Sequence, residues 1–423
     1  MNIKELVAIV IEQRDEMKSS DTSAYCVRLE ELQLELDSLL GQVVIGVRRS
    51  GKSTICEMFL KQNNVDFAYV NFDDNRLVNM QAVELDNLLE ALYIVYGDFK
   101  YLFLDEIQNI RDWPLFVNRL LRQKVHVYIT GSNSKLLSNE LSTHLTGRVN
   151  KVELYPFSFA EYCKMSGVDA KSPSVKARGL CKSALLKYLH QGGFPELLKV
   201  KNRSGYVNGL LDAIIRNDIA HRFNIRNSEA LRRIAAYLID NFCQEFTAKT
   251  IGKLFGVSNH TAENYYAYLK EAFLLVGINR FSYKSKSRIR NEKVYVIDTS
   301  FVTEKKHSIV SENIGWKLEN VVCIELLRRC RAKFYDVFYY KDASSQVDFV
   351  IAKNGVVIEL IQVSYDISIE KTLKREIRGL VNASKKLDCD KLTLITFYEI
   401  RDEFVDGFNI NVVSATEWLT ASI

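Results

Sequence analysis

Gly46-Val47-Arg48-Arg49-Ser50-Gly51-Lys52-Ser53, followed by Thr54, carries the spacing GxxxxGK[ST] in full. A short β-branched run, Gln42–Ile45, precedes it, and an amphipathic helical pattern over Ser53–Lys61 follows. Strand, glycine-rich turn and helix, in that order, are what a phosphate cradle requires. The glycines let successive backbone N–H groups turn inward, and the helix start adds its positive end. The pattern predicts ATP bound by Gly46, Val47, Arg48, Arg49, Ser50, Gly51, Lys52, Ser53 and Thr54. Lys52 is expected to reach the β- and γ-phosphates, and the Ser53 hydroxyl to hold Mg²⁺.

The next informative stretch is Tyr101-Leu102-Phe103-Leu104-Asp105-Glu106. Four apolar residues form a strand that delivers two acids to the carboxyl edge of a sheet, where open α/β folds bind ligands. Asp105 is the second expected Mg²⁺ residue, acting through water, and Glu106 the general base that polarises the attacking water. A further apolar run, Val125–Thr130, leads into Gly131-Ser132-Asn133-Ser134. Ser132 or Asn133 is the candidate for a polar group that positions this water, with Asn133 carried forward as catalytic. A helix cap before Lys135 is the competing reading. Arg148 is a candidate arginine finger, in cis or in trans, against the plainer reading of a surface ion pair.

The 423 residues suggest two to three domains, and the composition is ordinary for a globular chain, with 47% hydrophobic and 26% charged residues. Lysine and arginine number 57 against 52 acids, a net charge of +5 that excludes a histone-like protein but leaves room for a local basic patch. Only four prolines occur, so there is no proline-rich linker. None of the eight cysteines is at CxxC spacing, which argues against a zinc ribbon and for reduced, buried thiols in the cytoplasm. No apolar run approaches the length of a signal core or a membrane span.

The strand–helix alternation around these motifs predicts an α/β fold with a parallel sheet covered on both faces. The expected organisation is a helical segment over 1–40, a nucleotide-binding domain over 41–165, a helical segment over 166–245, a helix-turn-helix over 246–292 and a second α/β unit over 293–423. In the first segment, Leu29, Leu32, Leu36, Leu39 and Leu40 share helical spacing. In the fourth, Ile251, Leu254, Val257, Tyr265 and Leu269 fall where a helix-turn-helix core needs apolar side chains, and Gly256 permits the turn. The second helix would expose Asn259, His260, Glu263 and Asn264. Downstream, Arg280, Lys284, Lys286, Arg288, Arg290 and Lys293 interleave with Phe281 and Tyr283. A hairpin wing there would give a winged helix with a basic edge, residues 280–293, able to track DNA phosphates. Packing or protein contact is the alternative use. The candidate partners beside ATP are DNA, another protein or a second copy of the chain.

Two stretches resemble known families. GVRRSGKST (46–54), YLFLDEIQNI (101–110), YITGSNSKLL (128–137) and LTGRVNKVELYPFSFAEY (145–162) closely resemble the AAA-like P-loop ATPases of a large uncharacterised bacterial and archaeal group. In that group the ATPase is joined to a C-terminal domain of unknown function, which GGFPE (192–196) and KVYVIDTSF (293–301) resemble. The resemblance implies a P-loop NTPase sheet with an additional strand and a catalytic glutamate, and the roles given above to Lys52, Ser53, Asp105 and Glu106. Farther on, Glu319 on a helix, Asp348 on a strand and a following strand Val356–Ser364 look like the PD-(D/E)XK nuclease core. That strand departs from the pattern. Gln362 stands where the second acid belongs, Ser364 where lysine belongs, and Glu359 is one strand face out of register. The expectation is a nuclease-like domain without nuclease activity.

Overall fold

The apolar runs around the glycine-rich turn pair side by side. In the computed structural model, which describes residues 1–20, 25–131, 145–283, 292–304 and 312–421, five strands form one parallel sheet. They are β1 (Gly41–Ile45), β2 (Phe67–Asn71), β3 (Tyr101–Asp105), β4 (His126–Gly131) and β5 (Val149–Glu153), in the order β2-β3-β4-β1-β5. Thus β4 is inserted between the strand that precedes the turn and the strand that ends in Asp105. Val43, Val44, Ile45, Leu102, Phe103 and Leu104 are all fully buried. Burial of consecutive residues is what a parallel strand with both faces covered demands.

Four helices matter for this sheet: α1 (Ile3–Ser19), α2 (Lys52–Gln62), α3 (Leu85–Tyr96) and α4 (Trp113–Arg122). Helix α1 starts at a reciprocal cap: Glu5 N donates to Asn2 Oδ1 at 2.9 Å, and Asn2 N to Glu5 Oε2 at 3.1 Å. It buries Leu6, Ile9 and Val10 in the core that holds Val43, Val70 and Leu104. Its Gln13 grips the end of β2, accepting from Asn71 N at 2.9 Å and donating to Asn71 O at 3.1 Å. The first compact unit therefore runs from Met1 to Leu154, with Glu271–Phe273 added, and residues 1–40 are part of it rather than a separate segment.

The second helix expected before residue 40 does not form. Only Leu29–Gln33 winds, as a 3₁₀ turn, and Leu32 and Leu39 are 83% and 81% exposed. Side chains of the sheet take the carbonyls that a helix would use. Asn150 donates to Gln33 O, and the Tyr128 hydroxyl donates to Glu35 O and Leu36 O.

The second unit comprises Tyr155–Lys270 and Leu274–Ile423. It opens with helices α5 (Phe159–Met165), α6 (Val175–Gln191), α7 (Arg203–Ala213) and α8 (Ser228–Asp240), with a π-helical stretch over Ile214–His221. Helix α6 stops at Gly192, whose φ is +76°. A Cβ on Gly192 would fall 1.8 Å from Asp298 Oδ1, while Gly193 N donates to Asp298 Oδ2 at 2.6 Å. The paired glycines let the backbone close on this buried carboxylate.

Strand β6 (Gln244–Glu245), helices α9 (Ala248–Phe255) and α10 (Asn259–Glu271) and strands β7 (Leu275–Asn279) and β8 (Glu292–Val296) follow. The three strands form an antiparallel sheet in the order β6-β8-β7. Gly256 takes the left-handed conformation at the turn, with φ +67°. Ile251, Tyr265 and Leu269 are buried as expected, but Leu254 is 53% exposed and Val257 is half-buried. Phe255 turns inward instead, with its ring 5.6 Å from Tyr237.

Beyond two short helical stretches, Ser300–Thr303 and Ala415–Thr420, the rest is helix α11 (Ile314–Ala332), strands β9 (Asp336–Lys341), β10 (Gln346–Lys353) and β11 (Val356–Ser364), helix α12 (Glu370–Leu387), and strands β12 (Leu392–Thr396), β13 (Arg401–Val405) and β14 (Phe408–Ser414). They build a mixed sheet ordered β13-β14-β12-β11-β10-β9, in which β11–β12 and β12–β14 are parallel. All eight cysteines are buried, and none forms a disulfide. Among the described residues, no helix is long and apolar enough to cross a membrane.

Candidate functional site

The turn after β1 is held open by its glycines. Gly46 has φ +154°, and a Cβ there would lie 2.2 Å from Leu154 O, a clash with fixed backbone. Gly51 has φ +96° and sits at the head of α2. Arg49 between them is also left-handed, at φ +68°. Lys52 is buried, and its ammonium donates to Val47 O at 3.2 Å, across the turn. The buried Arg28 donates from Nη1 to Ser50 O at 3.2 Å and so braces the turn from outside the motif. Among the described residues, Ser50 Oγ is buried with no hydrogen-bond partner. An orphaned hydroxyl in a glycine-lined turn at a helix start suits a phosphate group.

Asp105 ends β3 at the carboxyl edge of the sheet and is 4% exposed. Hydroxyls surround it. Ser53 Oγ donates to Oδ1 at 2.9 Å, Thr130 Oγ1 donates to the same oxygen, and Tyr69 OH reaches Oδ2 at 3.4 Å. Burial pushes the Asp105 carboxyl above its ordinary range, and the Thr130 bond works against that rise. The Ser53 hydroxyl and the Asp105 carboxylate are hard oxygen ligands brought together from α2 and β3, a pair that could hold Mg²⁺. When bound there with a nucleotide, the ion would neutralise phosphate charge.

Glu106 follows in the left-handed conformation, φ +54°, with its N–H donating to Thr130 Oγ1 at 3.3 Å. Its carboxylate accepts from Gln108 Nε2. The residues of 46–54, Asp105 and Glu106 thus converge on one edge of the sheet. Asn133 and Ser132 lie outside the described residues. Arg148 is elsewhere. Its carbonyl accepts from Gly41 N at 2.9 Å, beside the first residue of β1, and its guanidinium donates to Asn118 on α4. Strand β1 is five residues long, so Arg148 sits about 15 Å from the turn, at about 3.3 Å per residue. In this structure its side chain turns to α4 rather than to the glycine-rich turn.

Four contributors were given no role from the sequence: Arg28, Tyr69, Gln108 and Thr130. Thr130 had a faint signal, a hydroxyl closing an otherwise apolar strand run. Arg28 had none.

The acids of the second unit also meet, but around a different centre. Lys293 on β8 is 5% exposed, with Nζ 2.7 Å from Glu319 Oε1 and 3.2 Å from Asp348 Oδ1. Lys293 is therefore withdrawn from the basic edge expected over 280–293, because two carboxylates hold it in the interior. Lys284, Lys286, Arg288 and Arg290 lie outside the described residues. Gln362 accepts from Asp348 N at 3.1 Å. Glu359 belongs to other partners: Thr393 donates to it at 2.7 Å, and Lys391 pairs with it at 2.7 Å.

Residues 41–163 match the family model described as an AAA domain, and residues 182–306 match a domain of unknown function. An uncharacterised protein of Methanocaldococcus jannaschii is 36% identical over 371 residues, covering 84% of this chain and 82% of its own. One of Haemophilus influenzae is 30% identical over 409 residues, covering 92% of this chain and 97% of its own. The chain belongs to their family. The span matched to the AAA domain contains the glycine-rich turn, Asp105, Glu106 and Thr130. Two solved structures are similar in part. The Walker-type ATPase of Pyrococcus abyssi is 14% identical, covering 66% of this chain and 95% of that one, with a TM-score of 0.45. The RuvB Holliday junction branch migration motor of Thermotoga maritima is 16% identical, covering 65% and 88%, with a TM-score of 0.29.

Proposed function

We propose that the protein is a Mg²⁺-dependent ATPase of the cytoplasm that couples hydrolysis to a conformational change on a DNA or protein partner. The observation that carries the reading is the 2.9 Å contact of Ser53 Oγ with Asp105, beside Glu106 on the edge where the glycine-rich turn opens. In this reading the N–H groups of 46–54 and the Lys52 ammonium hold the phosphates. Ser53 and Asp105 hold the metal, and Glu106 takes the proton of the attacking water. Thr130 keeps Asp105 and Glu106 in register by bonding to both.

DNA is the partner we favour. The order helix, strand, helix, turn, helix, strand, strand from α8 to β8 is what a winged helix needs, and it leaves Asn259, His260 and Glu263 exposed on α10. The order α11, three strands, α12, strand in turn supports a nuclease-like reading of the C-terminal part, without the metal site that cleavage needs. Steady-state ATP hydrolysis, with and without duplex DNA and with Glu106→Gln alongside, tests both levels. A wild-type rate equal to that of Glu106→Gln would end the ATPase reading. A rate indifferent to DNA over a range of salt would move the partner to a protein.

A further inference from the structure

Among the described residues, the second unit holds an unusual group: a nearly inaccessible lysine between two carboxylates from different elements. Lys293 comes from the three-stranded sheet, Glu319 from α11 and Asp348 from β10 of the mixed sheet. Removing an ammonium from water is costly, and a lone buried lysine ordinarily sheds its proton. Here burial pulls in that direction, but Glu319 and Asp348 outweigh it and hold the ammonium above its ordinary range.

Both acids have a second donor besides the ammonium, on the same oxygen in Glu319 and on the other oxygen in Asp348. Tyr295 OH donates to Glu319 Oε1 at 2.8 Å, and Val363 N donates to Asp348 Oδ2 at 3.2 Å. Gln362 donates onward to Glu376 Oε2 at 2.8 Å. A nuclease-like core would seat Mg²⁺ between the helix acid and the strand acid. These residues do not fit that ion. An ammonium already bridges the two acids, an amide replaces the third, and Asp348 is 4% exposed, out of reach of a phosphodiester.

We propose that the Lys293 ammonium is a built-in cation that fills the position between Glu319 and Asp348, turning a metal-type carboxylate cluster into a closed lock. The lock joins the three-stranded sheet, α11 and the mixed sheet, so these parts of the second unit unfold together. Nothing in the proposal depends on ATP hydrolysis.

The test uses full-length, nucleotide-free protein stripped with chelator, and Mn²⁺ as the probe. Without nucleotide, wild type should leave the free Mn²⁺ resonance spectrum unchanged and its melting temperature unmoved. Lys293→Met leaves the two acids without their cation. It should melt lower, bind Mn²⁺ stoichiometrically and regain about 5 °C or more at saturating Mn²⁺. A folded Lys293→Met that ignores Mn²⁺ would overturn the proposal. So would wild type that binds Mn²⁺ and loses it in Asp348→Asn, because the lysine would then be yielding to metal. If Lys293→Met does not fold, amine-specific acylation of wild type decides. Lys293 should stay unlabelled while the exposed Lys371 and Lys374 react, and labelling at the same rate would sink the lock.

Discussion

Asp105 and Asp348 are both buried strand aspartates, each 4% exposed, yet their surroundings give them opposite uses. Asp105 is met by neutral donors, the hydroxyls of Ser53, Thr130 and Tyr69. Hydroxyls can rotate away and leave a carboxylate to a cation. Asp348 is met by an ammonium and by the N–H of Val363. Its charge is already neutralised by a group that is covalently part of the fold. A buried acid therefore marks a metal site only when its donors are neutral and displaceable.

The largest effect expected from this contrast is kinetic. Glu106→Gln should keep nucleotide affinity and cut turnover by about 10²–10⁴-fold, the usual worth of a general base. Lys52→Ala should lose nucleotide binding instead. Equilibrium binding of a fluorescent ATP analogue beside single-turnover hydrolysis separates the two.

The next effect concerns stability. Lys293→Met leaves two buried acids uncompensated and should cost about 3–5 kcal/mol. Asp105→Asn should do the reverse in nucleotide-free protein. Burial raises the native pKa of Asp105 above its unfolded value, so its ionised form burdens the fold. Stability contributed by this group falls as pH rises through that window and returns as the carboxyl is protonated. The asparagine variant should match or exceed wild type in melting temperature at neutral pH, with the margin shrinking toward acid. A large loss of stability in Asp105→Asn would break the contrast.

Much of the first site was legible because its chemistry needs contiguous residues. A phosphate cradle is built from one turn, and an apolar strand ending in Asp105 and Glu106 is read in six letters. What the turn rests on was not legible. Arg28 and Thr130 reach the site through the tertiary fold, and neither spacing nor composition points to Arg28, while Thr130 shows only as the hydroxyl that closes an apolar run. The same blindness produced the errors. The leucines from Leu29 to Leu40 share helical spacing, but Tyr128 and Asn150 claim the carbonyls. Lys293 reads as one more charge in a basic tract, because the acids that bury it stand 26 and 55 residues away in sequence. Strand β5 escaped notice because Val149–Glu153 is largely polar.

Thr130→Val should have a smaller consequence. It removes the hydroxyl that bonds both Asp105 and the Glu106 N–H. Leaving a buried carboxylate short of one donor costs about 1–3 kcal/mol. Turnover should fall with it, while a defect in stability alone would reduce Thr130 to packing.

The smallest effect belongs to Arg148→Ala, and its smallness is informative. The guanidinium is exposed, bonded to Asn118, and lies at the end of β1 opposite the glycine-rich turn. A surface change of this kind moves stability by no more than about 0.5 kcal/mol. In dilute protein, where chains act singly, its turnover should equal that of wild type. A finger acts only if it reaches the phosphates, and within one chain the length of β1 stands between them. If turnover rises with protein concentration in wild type and stays flat in Arg148→Ala, the arginine serves a neighbouring copy. The edge of the sheet that looks inert in one chain would then complete the site of the next.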